Sequence, residues 1–464
     1  MSLYKLNQAI PKGIFRAYDI RGTVEDMLTP DNVYSIGLAI GTTALAKGQK
    51  SVVIGRDGRL SGPVLSKALA QGLLDTGCHV IDIGMVPTPL VYFATKTLET
   101  QSGVMLTGSH NPINYNGLKI VINGETLAEQ DIIELYNRIT TNNLTSGNGR
   151  IVRIDMVEPY IAYIIKNIKL ARPLKIVVDC GSGVAGMLAP RLFRELGCSV
   201  TELFCEVDGM FPHHHPDPSK PENLTDLIAK VKAVNADVGL AFDGDADRLG
   251  VVTNEGKIIY PDRQIMLFAI DILSRVPGAK IIYDVKSSRH LAPVITQHGG
   301  EPILWKTGHS LIKNKMREID APFAGEMSGH LFFKERWFGF DDGIYSGVRL
   351  LEILAQKKLT STEVFAQIPE DISTPELNIH MDDDKKFAFV NRLIAEGDFR
   401  NGKKITLDGL RVEFAEGWGL VRCSNTTPNL VLRFEANNSD SLQRVKNIFK
   451  TELKKLAPDL ALDF

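Results

Sequence analysis

The sequence predicts an α/β protein with three similar mixed α/β domains in tandem, followed by a C-terminal α+β domain. Three short β-branched runs each end in a polar loop: VVIGRDGR from Val52, IVVDCGSG from Ile176 and IIYDVKSS from Ile281. A short apolar run closed by a breaker is typical of a buried strand. The same further features follow each run in the same order, and the residues after 370 depart from this pattern.

Each repeat continues in the same way. A glycine precedes a second strand, then a short apolar run ends in another polar loop, and a hairpin-like segment follows. In the first repeat the helical stretch GPVLSKALAQGLLDTG joins the first two strands and ends in a glycine suited to a helix C-cap. The later features read GCHVIDIG, GVMLTGSHNP and NGLKIVINGETL, then GCSVTELF, VGLAFDGDADR and DRLGVVTNEGKII, then GGEPILWK, FAGEMSGH and HLFFKERWFGFDDG. Chance similarity is the alternative, but four features recurring in one order favour a repeat.

The C-terminal segment predicts strands joined by a D-G turn, from KKITLDGLRVEFAEGWGLVRCSNTTPNLVLRFEA. A helix follows, with one apolar stripe formed by Leu442, Val445, Phe449, Leu453 and Leu456. The predicted domains are therefore 1–153, 154–258, 259–370 and 371–464, arranged around a central cleft. In α/β units ligands bind at the carboxyl ends of strands, so we expect the polar loops to face that cleft.

Composition excludes several classes of protein. The formal net charge is -2, which gives no basic field for nucleic acid or an anionic membrane. Five scattered cysteines without a C-x-x-C pair argue against disulfides or a thiolate metal site, and favour reduced thiols in a cytoplasmic protein. No apolar stretch has the length of a membrane helix, and the N-terminus lacks the apolar region of a secretory signal.

The loop DGDADR places Asp243, Asp245 and Asp247 at alternate positions after the apolar run VGLAF. Three adjacent carboxylates repel one another unless a cation neutralises them, and an all-oxygen set suits a hard ion such as Mg²⁺. An EF-hand is excluded because the sixth loop position is Arg248 rather than Gly and the twelfth is Asn254 rather than Glu. A solvated acidic turn is the remaining alternative.

The loop TGSHNP offers the hydroxyl of Ser109 among small residues. Gly108 allows close approach of backbone or ligand, and His110 is placed to orient or activate the serine. The loop amides are candidates to hold a phosphate. A side-chain turn and a helix N-cap are equally good explanations of this serine, taken by itself.

Two further loops suggest a phosphorylated sugar. GEMSGH provides Glu326, Ser328 and His330, and a carboxylate beside a hydroxyl suits the vicinal hydroxyls of a sugar. RCSNTTP provides one guanidinium and several hydroxyl and amide donors, which suit a phosphate dianion, although an ordinary polar turn is the alternative. Its candidate ligands are Arg422, Ser424, Asn425 and Thr426. PHHHP (213–215 between the prolines) is interpreted as a surface loop rather than a metal site.

These four motifs, in this order, resemble the α-D-phosphohexomutase superfamily, most closely its bacterial phosphomannomutase/phosphoglucomutase branch. The resemblance spans essentially the whole chain. It implies that Ser109 carries a phosphoryl group and that Asp243, Asp245 and Asp247, with a phosphoserine oxygen, bind Mg²⁺. Glu326 and Ser328 would hold sugar hydroxyls. Arg422, Ser424, Asn425 and Thr426 would bind the non-reacting phosphate. The matching cleft residues are Tyr18, Arg21, Lys119, Arg248, Lys286, His309 and His330.

The implied activity is the interconversion of hexose 1-phosphate and hexose 6-phosphate, for mannose, glucose or both, through a hexose 1,6-bisphosphate that also acts as activator. Ser109, His110, Lys119, Arg21 and His309 are the candidate catalytic residues. Lys119 and His309 are the candidates for moving the hydroxyl proton. Met327 favours mannose and glucose, because phosphoglucosamine mutases usually have Gln there. The alternatives are a phosphoglucosamine mutase, a sugar-phosphate phosphatase and an inactive sugar-phosphate binding protein. We expect a monomer.

Overall fold

Each of the three short apolar runs forms a largely buried strand in the computed structural model, which describes residues 4–98, 100–425, 427–462 and 464. These strands are Ser51–Arg56, Lys175–Asp179 and Lys280–Asp284. The described residues pack into two units. Unit 1 contains Met1–Pro261, His309–Ala324 and Ser328–Gln367, and unit 2 contains Asp262–Gly308, Gly325–Met327 and Ile368–Phe464.

The first α/β segment belongs to unit 1 and contains a mixed sheet, whose strand order among the described residues is β1-β5-β4-β2-β3-β7, with β6 beside β5. β2 is parallel to β3 and β4, whereas β4 is antiparallel to β5. The elements are β1 (Ile20–Thr23), α1 (Pro30–Ala46), β2 (Ser51–Arg56), α2 (Gly62–Asp75), β3 (His79–Met85), α3 (Thr88–Thr97), β4 (Gly103–Leu106), β5 (Tyr115–Ile122), β6 (Glu125–Thr126), α4 (Gln130–Thr140) and β7 (Ile151–Arg153).

The hairpin predicted after the serine loop is confirmed. β5 and β6 pair antiparallel around Asn123 and Gly124, and both of these residues have positive φ. This is the backbone conformation of a tight type I′ turn, which an Asn-Gly pair favours. The turn therefore fixes the register of β5, the strand that carries Lys119.

The second α/β segment, also in unit 1, repeats the same arrangement. β8 is parallel to β9 and β10, and β10 is antiparallel to β11. Every residue of β10 is buried, as its continuous apolar sequence predicts. The elements are α5 (Val157–Asn167), β8 (Lys175–Asp179), α6 (Ala189–Glu195), β9 (Ser199–Leu203), α7 (Thr225–Val234), β10 (Val238–Phe242), β11 (Leu249–Thr253) and β12 (Ile258–Ile259).

The third α/β segment is divided between the two units. In unit 2, β13 is parallel to β14, as in the two earlier repeats. β15, whose first two residues belong to unit 1, is the neighbour of β16, which lies in unit 1. The elements are α8 (Pro261–Leu273), β13 (Lys280–Asp284), α9 (Leu291–Gln297), β14 (Glu301–Trp305), α10 (His309–Ile319), β15 (Phe323–Gly325), β16 (Leu331–Phe333), α11 (Gly343–Gln356) and α12 (Ser361–Ala366). The four domain boundaries predicted from the sequence remain predictions.

The C-terminal segment forms an antiparallel sheet, whose order among the described residues is β17-β22-β21-β20-β19, with β18 beside β22. The predicted apolar stripe faces the core of this segment: Val445, Phe449 and Leu453 are buried, and Leu442 and Leu456 pack against the same cluster. The elements are β17 (Ile372–Ser373), β18 (Leu377–His380), α13 (Asp383–Glu396), β19 (Lys403–Ile405), β20 (Leu410–Phe414), β21 (Gly417–Cys423), β22 (Asn429–Ala436) and α14 (Ser439–Leu456). Across the described part of the chain, no helix combines the length and the hydropathy of a membrane span.

Candidate active site

Ser109 lies in the loop between β4 and β5 and is only 2% exposed. Its φ is +47°, in the left-handed region that residues with a side chain rarely adopt. The amide of Ser109 donates to the hydroxyl of Thr107 at 2.8 Å, and its own hydroxyl donates to Asp243 at 2.9 Å. His110 Nδ1 is 3.2 Å from the serine oxygen. The strand end therefore presents this hydroxyl in a fixed, buried position.

A buried arginine holds the serine loop in shape. The guanidinium of Arg59 donates to the carbonyl oxygens of Ser109 at 2.9 Å, Asn111 at 2.6 Å, Pro112 at 2.5 Å and Tyr115 at 2.9 Å. A Cβ on Gly108 would lie 2.2 Å from this guanidinium, so only glycine fits there.

Asp57 supports the same loop from the end of β2. It accepts hydrogen bonds from the hydroxyl of Thr107 at 2.7 Å and from the amide of Gly108 at 3.0 Å. Sequence reasoning assigned no role to Asp57 or Arg59. Their position could have indicated a role, because both lie in the polar loop that directly follows the first repeated strand, in VVIGRDGR.

The three aspartates of DGDADR are fully buried, and each offers an oxygen within 4.8 Å of those of the other two. Ala246 has a φ of +61°, which lets the loop turn so sharply. Asp245 accepts a hydrogen bond from the hydroxyl of Thr88 at 2.5 Å, but its Oδ1 is buried without a hydrogen-bond partner. Buried carboxylate oxygens converging in this way suit a hard divalent cation. These residues fit the metal that the sequence predicted.

Lys119 neutralises part of this negative charge. Its ammonium donates to Asp245 Oδ2 at 2.6 Å and also to Asp247 Oδ2. Burial opposes the charge on this lysine, but Asp245 and Asp247 outweigh burial and raise the pKa of Lys119. Burial, together with the repulsion from Asp247 and Asp245, raises the pKa of Asp243 well above its ordinary value.

Two histidines lie beside the aspartates. His330 Nε2 is 3.3 Å from Asp247 Oδ1, and the rings of His330 and His309 are 5.6 Å apart between centroids. Asp341 is fully buried, accepts from Lys313 at 2.8 Å and lies 3.6 Å from His309 Nδ1. Burial, reinforced by Lys313 and Lys119, holds the pKa of His309 well below its ordinary value, so His309 is neutral at neutral pH.

The remaining unit 1 candidates join the same cluster. Arg248 Nε lies 3.7 Å from Asp243 and 3.3 Å from His330 Nε2, and Ser328 is 2.9 Å from the other nitrogen of that ring. Arg21 donates to the side chain of Asn111 at 3.3 Å. Tyr18 packs edge-on to His309 at 6.4 Å. Burial, with the positive charges of Arg248 and Arg21, lowers the pKa of His110 well below its ordinary value.

The other candidates belong to unit 2. Glu326 is 1% exposed and accepts from the amide of Gly308 at 2.5 Å. Lys286 pairs with Glu376 at 2.9 Å, and Arg422 pairs with Asp408 at 3.1 Å. Ser424 contacts Thr427 at the end of β21, and Asn425 follows it. Thr426 lies outside the described residues. The sequence motif GEMSGH is thus shared between units, with Glu326 in unit 2 and Ser328 and His330 in unit 1.

The triple histidine lies in a partly exposed loop, and two of its members also make contacts within the protein. His214 Nε2 is 3.1 Å from Asp179, and His215 Nε2 contacts the carbonyl oxygen of His110. His213 is exposed and stacks on Phe204. Adjacent histidines do point in different directions, as expected, but two of them point into the protein.

Comparison with known families identifies the chain. Models of the phosphoglucomutase/phosphomannomutase α/β/α domains I, II and III match residues 12–146, 158–256 and 260–372, and the C-terminal domain of the same family matches 376–451. The chain belongs to the phosphoglucomutase/phosphomannomutase family. The resemblance read from the four motifs is confirmed.

Relatives in this family are similar over nearly their whole length. A phosphomannomutase/phosphoglucomutase of Pseudomonas aeruginosa is 60% identical over 455 residues, which covers 98% of both chains. A phosphoglucomutase of Neisseria gonorrhoeae is 54% identical, over 96% of this chain and 98% of its own. A phosphoglucomutase/phosphomannomutase family protein of Burkholderia thailandensis has a crystal structure that matches with a TM-score of 0.94 at 51% identity, covering 98% of this chain and 100% of that one.

Proposed function

We propose that this protein is a phosphohexomutase that interconverts the 1-phosphates and 6-phosphates of mannose, glucose or both. The observation that carries the proposal is the hydroxyl of Ser109, which is buried 2.9 Å from Asp243 at the edge of a three-carboxylate cluster. A serine placed beside a cation site suits phosphoryl transfer, which depends on positioning and charge neutralisation. The relatives named phosphomannomutase/phosphoglucomutase support the same reaction.

The reaction begins with a phosphoryl group on Ser109. The free hydroxyl of a hexose monophosphate attacks phosphorus in line, the bond from phosphorus to the serine oxygen breaks, and a hexose 1,6-bisphosphate forms. The sugar then turns over, and its other phosphate returns a phosphoryl group to Ser109. The loop clamped by Arg59 keeps the serine oxygen in one place for both transfers.

Charge stabilisation falls to the groups around the serine. Asp243, Asp245 and Asp247 would hold Mg²⁺, which supplies a positive charge for the transferred phosphoryl group. Lys119 and Arg248 add positive charge on the same side, since both lie against these aspartates. Arg21 lies beside the serine loop, where it donates to Asn111 and pairs with Asp19 at 2.5 Å, and it would add a further positive charge there.

The attacking hydroxyl must also lose its proton. His309 is our first candidate for the base, because its depressed pKa keeps the ring neutral and able to accept a proton. Lys119 remains charged while it contacts Asp245 and Asp247, and therefore acts first as an electrostatic group. His110, also neutral, lies 3.2 Å from the serine oxygen and orients it.

The resemblance to the family assigns the sugar and its second phosphate to further residues. Glu326 and Ser328 would hold sugar hydroxyls, and Lys286 would line the cleft. Arg422, Ser424, Asn425 and Thr426 would bind the phosphate that is not reacting. Met327 favours mannose and glucose over glucosamine, because phosphoglucosamine mutases usually have Gln at this position. We also propose a monomeric, cytoplasmic enzyme with hexose 1,6-bisphosphate as activator. The five cysteines form no disulfide, which suits a reducing compartment.

A parallel mutase assay tests the proposal. Mannose 1-phosphate, glucose 1-phosphate and glucosamine 1-phosphate are each supplied with Mg²⁺ and a trace of hexose 1,6-bisphosphate. We expect conversion of the first two, loss of activity in Ser109→Ala, and normal activity in Ser274→Ala, which changes an exposed serine.

The other outcomes of the assay separate the alternatives. Turnover of glucosamine 1-phosphate alone would identify a phosphoglucosamine mutase. The preference for mannose and glucose inferred from Met327 would then be wrong. Release of phosphate without isomerisation would identify a phosphatase. Binding of hexose phosphates without either reaction would identify an inactive sugar-phosphate binding protein.

A further inference from the structure

Two cysteine sulfurs lie in contact behind the metal loop. Cys180 directly follows β8, Cys205 comes two residues after β9, and their Sγ atoms are 3.4 Å apart. The two strands are adjacent and parallel, with Asp179 opposite Leu203. Backbone hydrogen bonds continue beyond the strand ends, from the Cys180 amide to Leu203 at 3.1 Å and from the Ser182 amide to Phe204 at 2.8 Å. The contact is therefore a fixed consequence of strand pairing.

The two thiols differ in accessibility. Cys180 is fully buried, and burial, reinforced by the neighbouring Cys205, raises the pKa of its thiol well above the ordinary value. Cys205 is half-buried, and its sulfur lies 3.3 Å from the Leu203 carbonyl oxygen. A small oxidant therefore reaches Cys205 first, and Cys180 is held in position as the resolving partner.

The backbone after Cys180 connects this pair to the aspartate loop. Residues 181–183 form a turn in which Gly181 and Ser182 both have positive φ, and the Gly183 amide donates to Cys180 at 2.7 Å. This turn packs against Gly244, which lies between Asp243 and Asp245. The amide of Val184 donates to the carbonyl of Gly244 at 3.2 Å, and a Cβ on Gly183 would come within 2.9 Å of that carbonyl.

We propose that Cys180 and Cys205 form a reversible disulfide when peroxide oxidises the protein, and that this cross-link lowers the mutase activity. The activity part rests on the proposed function, whereas formation of the disulfide does not. A disulfide bond is about 2 Å long, so sulfurs at 3.4 Å must approach by roughly 1.4 Å. The turn that packs on Gly244 shares this displacement, because Cys180 is its first residue.

The chemistry balances with hydrogen peroxide as the oxidant. The thiolate of Cys205 attacks one peroxide oxygen, an S–O bond forms, the O–O bond breaks, and the departing hydroxide takes a proton to become water. The sulfur of Cys180 then loses its proton and attacks the Cys205 sulfur, and the second hydroxide leaves as water. Two thiols and one peroxide thus give one disulfide and two waters, and a dithiol such as dithiothreitol reverses the change.

Mass spectrometry and kinetics on the full chain, before and after peroxide, test the proposal. We expect the intact mass to fall by two hydrogen atoms and fragmentation to locate the link between Cys180 and Cys205. We expect kcat to fall on the order of tenfold, since displacements of about 1 Å in a site have effects of this size or larger. Dithiothreitol should restore both values. Cys205→Ala and Cys180→Ala should each keep their kcat in peroxide.

Cys198→Ala is the matched control. Cys198 shares a tryptic peptide with Cys205, because no Lys or Arg lies between them, and burial raises the pKa of its thiol to about 11. This variant should still form the link and still lose activity. An unchanged mass, or a link through Cys198, would overturn the proposed disulfide, and a complete link with unchanged kcat would overturn its effect on the site. A protein without mutase activity before oxidation would instead contradict the proposed function.

Discussion

Replacing Arg59 with lysine tests whether the shape of the serine loop is set by the guanidinium. Arg59 is 1% exposed and donates to four carbonyl oxygens of residues 109–115. Lysine keeps the positive charge next to Asp57, but it offers a single nitrogen in place of a planar fork. Each of the two terminal nitrogens of Arg59 serves two of the carbonyls, so a single lysine nitrogen in either place leaves the other two carbonyls without their donor.

The size of the effect follows from these contacts. Hydrogen bonds to a charged donor contribute about 1.5 kcal/mol or more each, so the loss of two lowers the free energy of unfolding by about 3 kcal/mol. The serine oxygen also loses its fixed position, and a shift of about 1 Å in a reacting group costs roughly 100-fold in kcat. KM should change little, because the sugar and phosphate ligands of unit 2 are unaltered.

Steady-state kinetics and thermal unfolding of Arg59→Lys measure both effects. Arg56→Lys is the matched control, because Arg56 lies at the same strand end and donates to the carbonyl of Asp57 at 3.1 Å without touching the serine loop. We expect Arg56→Lys to retain the kcat of the parent enzyme. If Arg59→Lys retained it as well, the loop would hold its own shape, and the role given to Arg59 would be wrong.

Three further predictions concern buried carboxylates. Asp245→Asn should weaken Mg²⁺ binding on the order of tenfold or more, because one anionic ligand is lost. Calorimetry measures the affinity, and an unchanged value would place the metal elsewhere. Burial raises the pKa of Asp342 to about 7. The folded protein therefore binds a proton that the unfolded chain has already released, and stability falls as the pH rises from about 4 to 7. Asp342→Asn should flatten unfolding curves over that range, and an unchanged slope would contradict this assignment. Asp341→Asn leaves the buried ammonium of Lys313 unpaired and should cost about 3 kcal/mol in chemical denaturation. Asp320→Asn, at an exposed pair with Lys334, should leave the transition unchanged, and equal effects would refute the distinction.

The sequence was most informative where a short buried strand runs into a loop. The run before DGDADR forms the fully buried β10, and the Asn-Gly pair after the serine loop forms the expected turn. Both depend on local rules, namely apolar runs and residues that tolerate positive φ. The first two segments also share one pattern of strand pairing, which agrees with the recurring order of their sequence features.

Contacts between distant residues were not predictable in this way. Arg59 reaches carbonyls about 50 positions away, and His215 contacts His110 across 105 positions. Nothing in the local pattern of PHHHP indicates which of its rings points inward. The role of Asp341 was not predictable either, because it depends on contacts with Lys313 and His309, which only the fold brings close to it.

The position of Lys119 has a consequence for how a metal enters the site. Its ammonium already bridges two of the three aspartates. Oδ1 of Asp245 has no hydrogen-bond partner among the described residues, so a divalent ion would find an oxygen on this carboxylate that the ammonium does not contact. The ion and Lys119 would then divide the negative charge of the same carboxylates between them. The lysine would thus limit how strongly these aspartates attract a cation, and its loss would change metal affinity as well as phosphoryl transfer.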